Sequence, residues 1–505
     1  MRVFLARSAL ELAVFVCGAL VMVYEIIGSR IVAPYIGTST YIWTSLIGVI
    51  LAALSLGYWI GGRMADKRPE IKILAAAIFM AGGLVSLTIL IKDVVLSAIH
   101  AAGGPLELKA VGAAALLFAP ASVMLGFVTP YAVKLRTLSL NESGKTVGRL
   151  YALSTVGSIA GTFAAGFFLI PFVGSTRTLY LIAGSLFAVS LLLAPFALTR
   201  TNLTILIVFV FGMTGSEVSA WYMRTVHGVI DLDTEYSRVQ IFETTHAETG
   251  RPYRAIATDP YFAQSAIYLD DGSPVFEYVK FFKLVDHFNP GNKKVLMIGG
   301  AGYTIPREYL KDHPDSTIDV VEIDPQMTQL ARQYFGLKDD PRMKIFHQDG
   351  RVFLNNAPSN TYDAVFIDAF GSLFSIPWQL TTLEAVQHVH RVLKHEGVVI
   401  VNIGGALESD SSRFLASETS TFRKAFSEVL LFKVRPDRSD SDLQNIALVG
   451  CKVGCHPFLP GNRVVPPLEN LREGNFGDAQ TLTDELAPVE HFNSFALKQF
   501  GPIGR

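Results

Sequence analysis

Gly299, Gly300 and Gly302, followed by Glu322, Asp349 and Asp368, are the residues of this 505-residue chain whose types and spacing suit a nucleoside site. The glycines stand in KVLMIGGAGYTIPRE, where an apolar run ends in a turn and a helix is expected to begin. Glycine there permits a tight turn and close approach of backbone to a ligand. Glu322 follows about 20 residues later, where a carboxylate can accept hydrogen bonds from both ribose hydroxyls. Asp349 is placed to meet an exocyclic amine of a base, whereas Asp324, directly before Pro325, reads as a helix N-cap.

These residues end strands. VLMIGG, IDVVEID (318–324), MKIFHQD (343–349), YDAVFID (362–368) and GVVIVNI (397–403) alternate with helical stretches at about 304–312, 325–335, 350–355, 381–394 and 412–427. Such alternation means βαβ crossovers and a mostly parallel, doubly wound sheet, with ligands bound beyond the carboxyl ends of the strands where strand order reverses. Four consecutive strands ending in a glycine turn or an acid at one edge are far more specific than any single member. The closing pair VLLFKV (429–434) and NIALVG (445–450) has no helix between its strands and predicts an antiparallel hairpin at one edge. Ahead of the alternation, VQIFET (239–244), YRAIAT (253–258) and SAIYLD (265–270) predict a small antiparallel sheet.

The N-terminal half is of another kind. The chain is 50% hydrophobic and only 17% charged, with a mean hydropathy of +0.36, high for a soluble protein. A net charge of -1 gives no basic field for nucleic acid. Apolar runs at 9–29, 41–61, 71–91, 110–130, 150–171 and 178–198 predict an all-α bundle of six membrane spans. The first is too long for a cleaved signal peptide and ends in no cleavage site, so it is expected to remain. Arg2, Arg7, Arg63, Lys67, Arg68, Lys72, Lys134, Arg136, Lys145, Arg149 and Arg200 would share one side, against Arg30, Lys92, Lys109 and Arg177 on the other, which assigns the first set to the cytoplasm. Leu203–Met213 is short for a span; extended through Ser219 it would reach membrane length, include Glu217 and put all that follows outside the cytoplasm. The expectation is the non-spanning reading, with a cytoplasmic catalytic domain. Gly57, Gly61, Gly62, Gly157, Gly161 and Gly166 predict close helix packing. Glu25, within the first span, has Arg30 as its first candidate partner; a structural ion pair and a polar site for a cationic or amphiphilic substrate are both open. Cys17, Cys451 and Cys455 form neither a disulfide framework nor a CxxC metal pair; Cys451 and Cys455 are expected to be buried thiols, and no metal is expected.

On VLMIGGAGYTIPRE, VVEIDPQM, HQDGRVF and FIDAFG, residues 236–455 resemble the polyamine aminopropyltransferases, the spermidine synthases. With YEIIGSRIVAPYIGTS and LGYWIGGRMAD added, the whole chain resembles multi-spanning membrane proteins carrying a fused spermidine synthase domain. The resemblance implies a transmembrane domain at 1–215, a small β-rich part at 216–290, a Rossmann-like, class I methyltransferase-like catalytic domain at 291–455 and a tail at 456–505. It implies decarboxylated S-adenosylmethionine as co-substrate, lying beside Gly299, Gly300 and Gly302, with Glu322 at the ribose, Asp349 at the adenine amine, and Ile323 and Gly350 also among the cofactor-binding residues. Asp368 would orient and deprotonate the attacking amine, with Tyr236, Tyr278 and Phe370 on the acceptor side. An amine acceptor, a cell-membrane location with the bilayer as partner, and a homodimer complete the expectation.

The sequence departs from the family at the charged positions. Gly302 stands where family members carry an aspartate that holds the donor's amine, Gly371 where they carry a second aspartate, and Val279 and Lys280 where they carry a glutamine and an acid. A dicationic acceptor would lose much of its electrostatic complement, making a less charged or larger acceptor plausible. Two alternatives follow: a methyltransferase using S-adenosylmethionine itself, and a transporter or sensor regulated by a nucleoside-binding domain.

Overall fold

The computed structural model describes residues 2–497 apart from 38, 103, 138–142, 195–199, 227, 259–261, 371–375, 456–469, 473, 475, 477 and 478. The chain divides into two compact units, one of residues 1–227 with 231–238, the other of 228–230 with 239–505.

Among the described residues of the first unit five helices are long and apolar enough to cross a membrane: Ser8–Ile36, Thr40–Lys67, Ile71–Ala101, Ser143–Val173 and Ser175–Leu193. The run expected at 110–130 is not a single straight helix. It is the pair Leu106–Leu117 and Ala119–Arg136, bent by 52°, a sixth crossing if counted together. Pro120, early in the second segment, has no N–H to give the preceding turn, and the helix breaks at Phe118. The Leu117 carbonyl beside the break accepts from the Tyr24 hydroxyl at 2.9 Å and the Thr88 hydroxyl at 2.8 Å, supplied by two neighbouring helices. A buried backbone carbonyl without a partner is costly, so these hydroxyls stabilise the break.

Gly57, Gly61, Gly157 and Gly161 lie against the backbone of neighbouring helices, where any side chain would collide. Gly166 faces open space and Gly62 has only Pro130 nearby, so these two do not act as packing glycines. Glu25 and Arg30 do not pair: Arg30 donates to the Glu235 carbonyl, and the Glu25 carboxylate has no hydrogen bond or ion pair among the described residues. Leu203–Met213 is part of a longer helix, Arg200–Val226, of 27 residues.

A short strand β1 (Ile230–Asp233) lies where the units meet in sequence. The second unit opens with an antiparallel ladder of β2 (Arg238–Thr245), β3 (Pro252–Ala257) and β4 (Ala263–Tyr268). Then come β5 (Lys294–Ile298), β6 (Thr317–Val321), β7 (Met343–Phe346), β8 (Tyr362–Ile367), β9 (Leu393–Gly405), β10 (Glu428–Lys433), β11 (Gln444–Cys451) and β12 (Leu471–Arg472). They form one sheet in the order β12-β10-β11-β9-β8-β5-β6-β7, parallel from β9 to β7 and antiparallel beyond. This is the doubly wound, methyltransferase-like sheet. Its central strands are apolar at nearly every position because helices cover both faces.

The cysteines differ from expectation: Cys451, at the end of β11, and Cys455 are joined as a disulfide. Four residues of separation let the turn after the strand bring the two side chains together.

Candidate active site

Strand order reverses between β5 and β8, and the turns after these two strands touch. The Asp368 amide donates to the Ile298 carbonyl at 3.0 Å. Gly299, at φ 93°, has the Asp368 carbonyl where a side chain would project, so the crossover itself requires glycine there.

Glu322 follows β6 and is buried. Its Oε2 accepts from the amides of Gly300 at 2.9 Å and Ala301 at 3.0 Å, and its Oε1 from the Asp324 amide at 2.9 Å. Burial pushes this carboxyl above its usual range, while the three amide bonds pull it back. A carboxylate has about four lone-pair sites, so capacity remains for a further donor. The turn it clamps is strained: Ala301 (φ 43°) and Tyr303 (φ 56°) are non-glycine residues in the left-handed region. Tyr303 is fully buried, its ring over Gly300 and its hydroxyl 2.7 Å from the Thr328 hydroxyl, which lies 2.9 Å from His347 Nε2. This relay anchors the strained residue to the helix Pro325–Tyr334 and to the end of β7.

Gly302 is not a vacancy. A Cβ there would lie 2.5 Å from the Ser265 Oγ and 2.8 Å from its Cβ. Ser265, from β4, stands where an acid was expected to be missing, with its hydroxyl 3.2 Å from that of Thr304. Gly350 is equally constrained, by Ile298 at 2.7 Å. Asp349 caps its helix, accepting from the Val352 amide at 3.0 Å, and Asp324 caps another through Gln326 at 2.9 Å. Ile323 is 37% exposed, an apolar surface beside Glu322.

Asp368 ends β8. Its Oδ1 accepts from Asn402 Nδ2 at 2.9 Å, and its Oδ2 lies 3.1 Å from the hydroxyl of the buried Tyr278. Burial pushes the Asp368 carboxyl up to about 6, against the lowering pull of Asn402 and Tyr278. Tyr278 has one hydroxyl proton and two acceptors in reach, since the Gln264 carbonyl is 3.0 Å away. Once Asp368 is protonated it can donate to the phenol oxygen while the phenol donates to Gln264, and every partner is satisfied. The arrangement therefore accommodates a proton on Asp368. Asn402 Oδ1 is buried and has no partner among the described residues, an acceptor that a donor entering the site could use.

The remaining expected positions are dispersed. Phe370 is half-buried with its ring 6.2 Å from Phe414. Tyr236 belongs to the first unit, 45% exposed in the turn organised by Thr234. Lys280 lies on the surface 3.6 Å from Glu277, and Val279 is buried, so neither contacts the Asp368 carboxylate. Gly371 lies outside the described residues. Sequence reasoning missed Asn402, Ser265 and the Tyr303–Thr328–His347 relay. Asn402 carried a signal, being the one polar side chain in the run GVVIVNI.

Residues 278–433 match the spermine/spermidine synthase domain. The chain is 30% identical to a polyamine aminopropyltransferase of Vibrio vulnificus over 231 residues, 42% of this chain and 74% of the relative. It is 27% identical to polyamine aminopropyltransferase 1 of Streptomyces coelicolor over 431 residues, 79% of this chain and 76% of the relative, a match that takes in part of the helical unit as well. A probable spermidine synthase of Corynebacterium glutamicum, 22% identical, aligns with 50% of this chain and 96% of its own, at a TM-score of 0.42. With a sheet, a glycine turn and an acid-bearing switch point of this kind, and with the Vibrio vulnificus relative 30% identical and matched over 74% of its length, the chain belongs to the polyamine aminopropyltransferase family and is a transferase.

Proposed function

We propose that the protein is a membrane-embedded aminopropyltransferase that moves an aminopropyl group from decarboxylated S-adenosylmethionine to an amine and releases methylthioadenosine. The observation that carries this reading is Asp368, with its pKa raised to about 6 and held by Tyr278 and Asn402 beside the Gly299 turn. The amine nitrogen attacks the propyl carbon next to the sulfonium, and the C–S bond breaks with its electron pair left on sulfur. The proton shed by the amine passes to Asp368. The sulfonium leaves readily, so positioning contributes most of the remaining acceleration. In this reading Glu322 uses its spare capacity on the ribose, Asp349 meets the adenine amine, Ile323 offers an apolar face to the base, and Asn402 Oδ1 receives an amine hydrogen. Five apolar helices and one bent pair support a multi-pass location in the cell membrane. The partners of this reading are a small-molecule amine, the bilayer and a second copy of the chain.

One observation favours a second reading. The Ser265 hydroxyl at Gly302 offers no charge to a donor amine, which suits S-adenosylmethionine and methyl transfer. Both readings are tested by incubating detergent-solubilised protein with each donor and several amines. Methylthioadenosine that vanishes in Asp368→Asn supports the first; S-adenosylhomocysteine defeats it in favour of the second. Tight nucleoside binding without either product would point to a sensor.

A further inference from the structure

We propose that the helix Arg200–Val226 is a further full crossing, and that the chain therefore leaves the bundle on the non-cytoplasmic side, where its transferase unit works. This rests on the membrane reading above. The direction of the helix comes from its packing. Ile205 meets Gly83 and Leu90 meets Gly212, so the helix advances in step with Ile71–Ala101 and runs parallel to it. Tyr180 donates to the Gly212 carbonyl at 2.8 Å, and Phe187 packs on Phe209, as an antiparallel neighbour, Ser175–Leu193, requires. At about 1.5 Å per residue, 27 residues reach about 40 Å, more than a hydrocarbon core of about 30 Å. Leu203, Ile207, Val210, Phe211 and Val218 are exposed along it, and Trp221 and Tyr222 are exposed near its end, where an aromatic belt belongs.

The two ends of the bundle carry different groups. At one end Glu11 pairs with Arg136 and Arg149, and Asp66 with Lys134, among the basic loops. At the other, Tyr35 donates to Asp93 at 2.7 Å and Lys109 donates to the His100 carbonyl. Residues 231–238 belong to this second end: the Ser175 amide donates to Asp233 at 2.7 Å, and Arg30 to the Glu235 carbonyl. The chain has thus passed from the Lys- and Arg-rich end at Arg200 to the opposite end by Asp233. Positive loops face the cytoplasm, so Val239 and all that follows emerge on the other side. The disulfide Cys451–Cys455 is an independent observation in the same direction, because disulfides persist in oxidising compartments and are rare in the cytosol. An adenosyl-sulfonium donor made in the cytosol must then be supplied by a transport step.

Full-length variants, each with one introduced cysteine, test the inference. Thr249→Cys, in an exposed turn of the second unit, and Arg68→Cys, in a basic loop, are each probed in intact bacteria with a membrane-impermeant maleimide, with Cys451 and Cys455 changed to Ser. Labelling at 249 in intact cells and at 68 only after lysis is expected; the reverse pattern overturns the topology. Alkaline carbonate washing separates the two levels. Protein released by the wash defeats the membrane reading and this proposal with it, whereas retained protein with reversed labelling defeats the topology alone. In the unsubstituted protein, Cys451 and Cys455 should alkylate only after reduction; free alkylation of both in cells argues against an oxidising compartment.

Discussion

The two halves of the active site are held by different kinds of atoms. Around Gly299 the geometry is set by backbone: a positive φ, a strand crossover, and three amides gathered on Glu322. Around Asp368 it is set by side chains, Tyr278 and Asn402, with one acceptor still open. A backbone cradle tolerates few substitutions because each one must move a turn. A side-chain cradle can be re-specified one residue at a time, so in the proposed reading acceptor choice is the part that substitution would adjust.

That contrast can be broken experimentally. Asp368→Asn should lower turnover by roughly 10²–10⁴-fold, the contribution of a general base, with nucleoside affinity by calorimetry unchanged; a parallel loss of affinity would show that the halves are not separable. Glu322→Gln, which weakens charge-assisted bonds worth about 1.5–3 kcal/mol, should cost roughly 10–100-fold in nucleoside affinity and lower the melting temperature. Gly302→Asp should destabilise by about 1–3 kcal/mol through collision with Ser265, and the added change Ser265→Gly should recover most of that in thermal denaturation.

Proton linkage sharpens the acceptor half further. The base must be ionised, so kcat/KM should fall as pH drops through about 6. Asn402→Ala or Tyr278→Phe removes a bond that holds this pKa down, so the limb should move to higher pH. Stability has its own sign. An ordinary aspartate titrates near 3.9 when unfolded, so between about pH 4 and 6 the native state binds more protons and loses stability as pH rises. Asp368→Asn should therefore melt higher than the parent at pH 7. The smallest effect belongs to Lys280→Glu, expected to leave kcat/KM for a cationic acceptor unchanged because Lys280 sits with Glu277 on the surface; a large gain would return it to the acceptor site.

The parallel strands and the helices between them were legible because each is a short apolar run closed by a turn signal, and the run VLMIGG also marked where the glycine turn falls. Periodicity could not show that Ser265, 37 positions from Gly302, fills the glycine's missing side chain, since that contact exists only after β4 packs on the turn. Asp368 was legible by position, but its partner Asn402 looked like an interruption in a strand. The helix Arg200–Val226 is longer than its apolar stretch, because its flanks carry the polar residues that hydropathy discounts. The cysteine pair was read as thiols because four-residue spacing carries no signature of its own.

The break at Phe118 has a mechanical consequence. An amide donor points along one direction, so a helix that bends about a fixed amide bond must either keep its angle or lose the bond. The Leu117 carbonyl is instead held by two hydroxyl rotors, Tyr24 and Thr88, from separate helices. Each rotor can follow the carbonyl through a range of directions. The bend is thus a compliant joint, able to absorb small shifts between neighbouring helices without leaving a buried polar group unpaired.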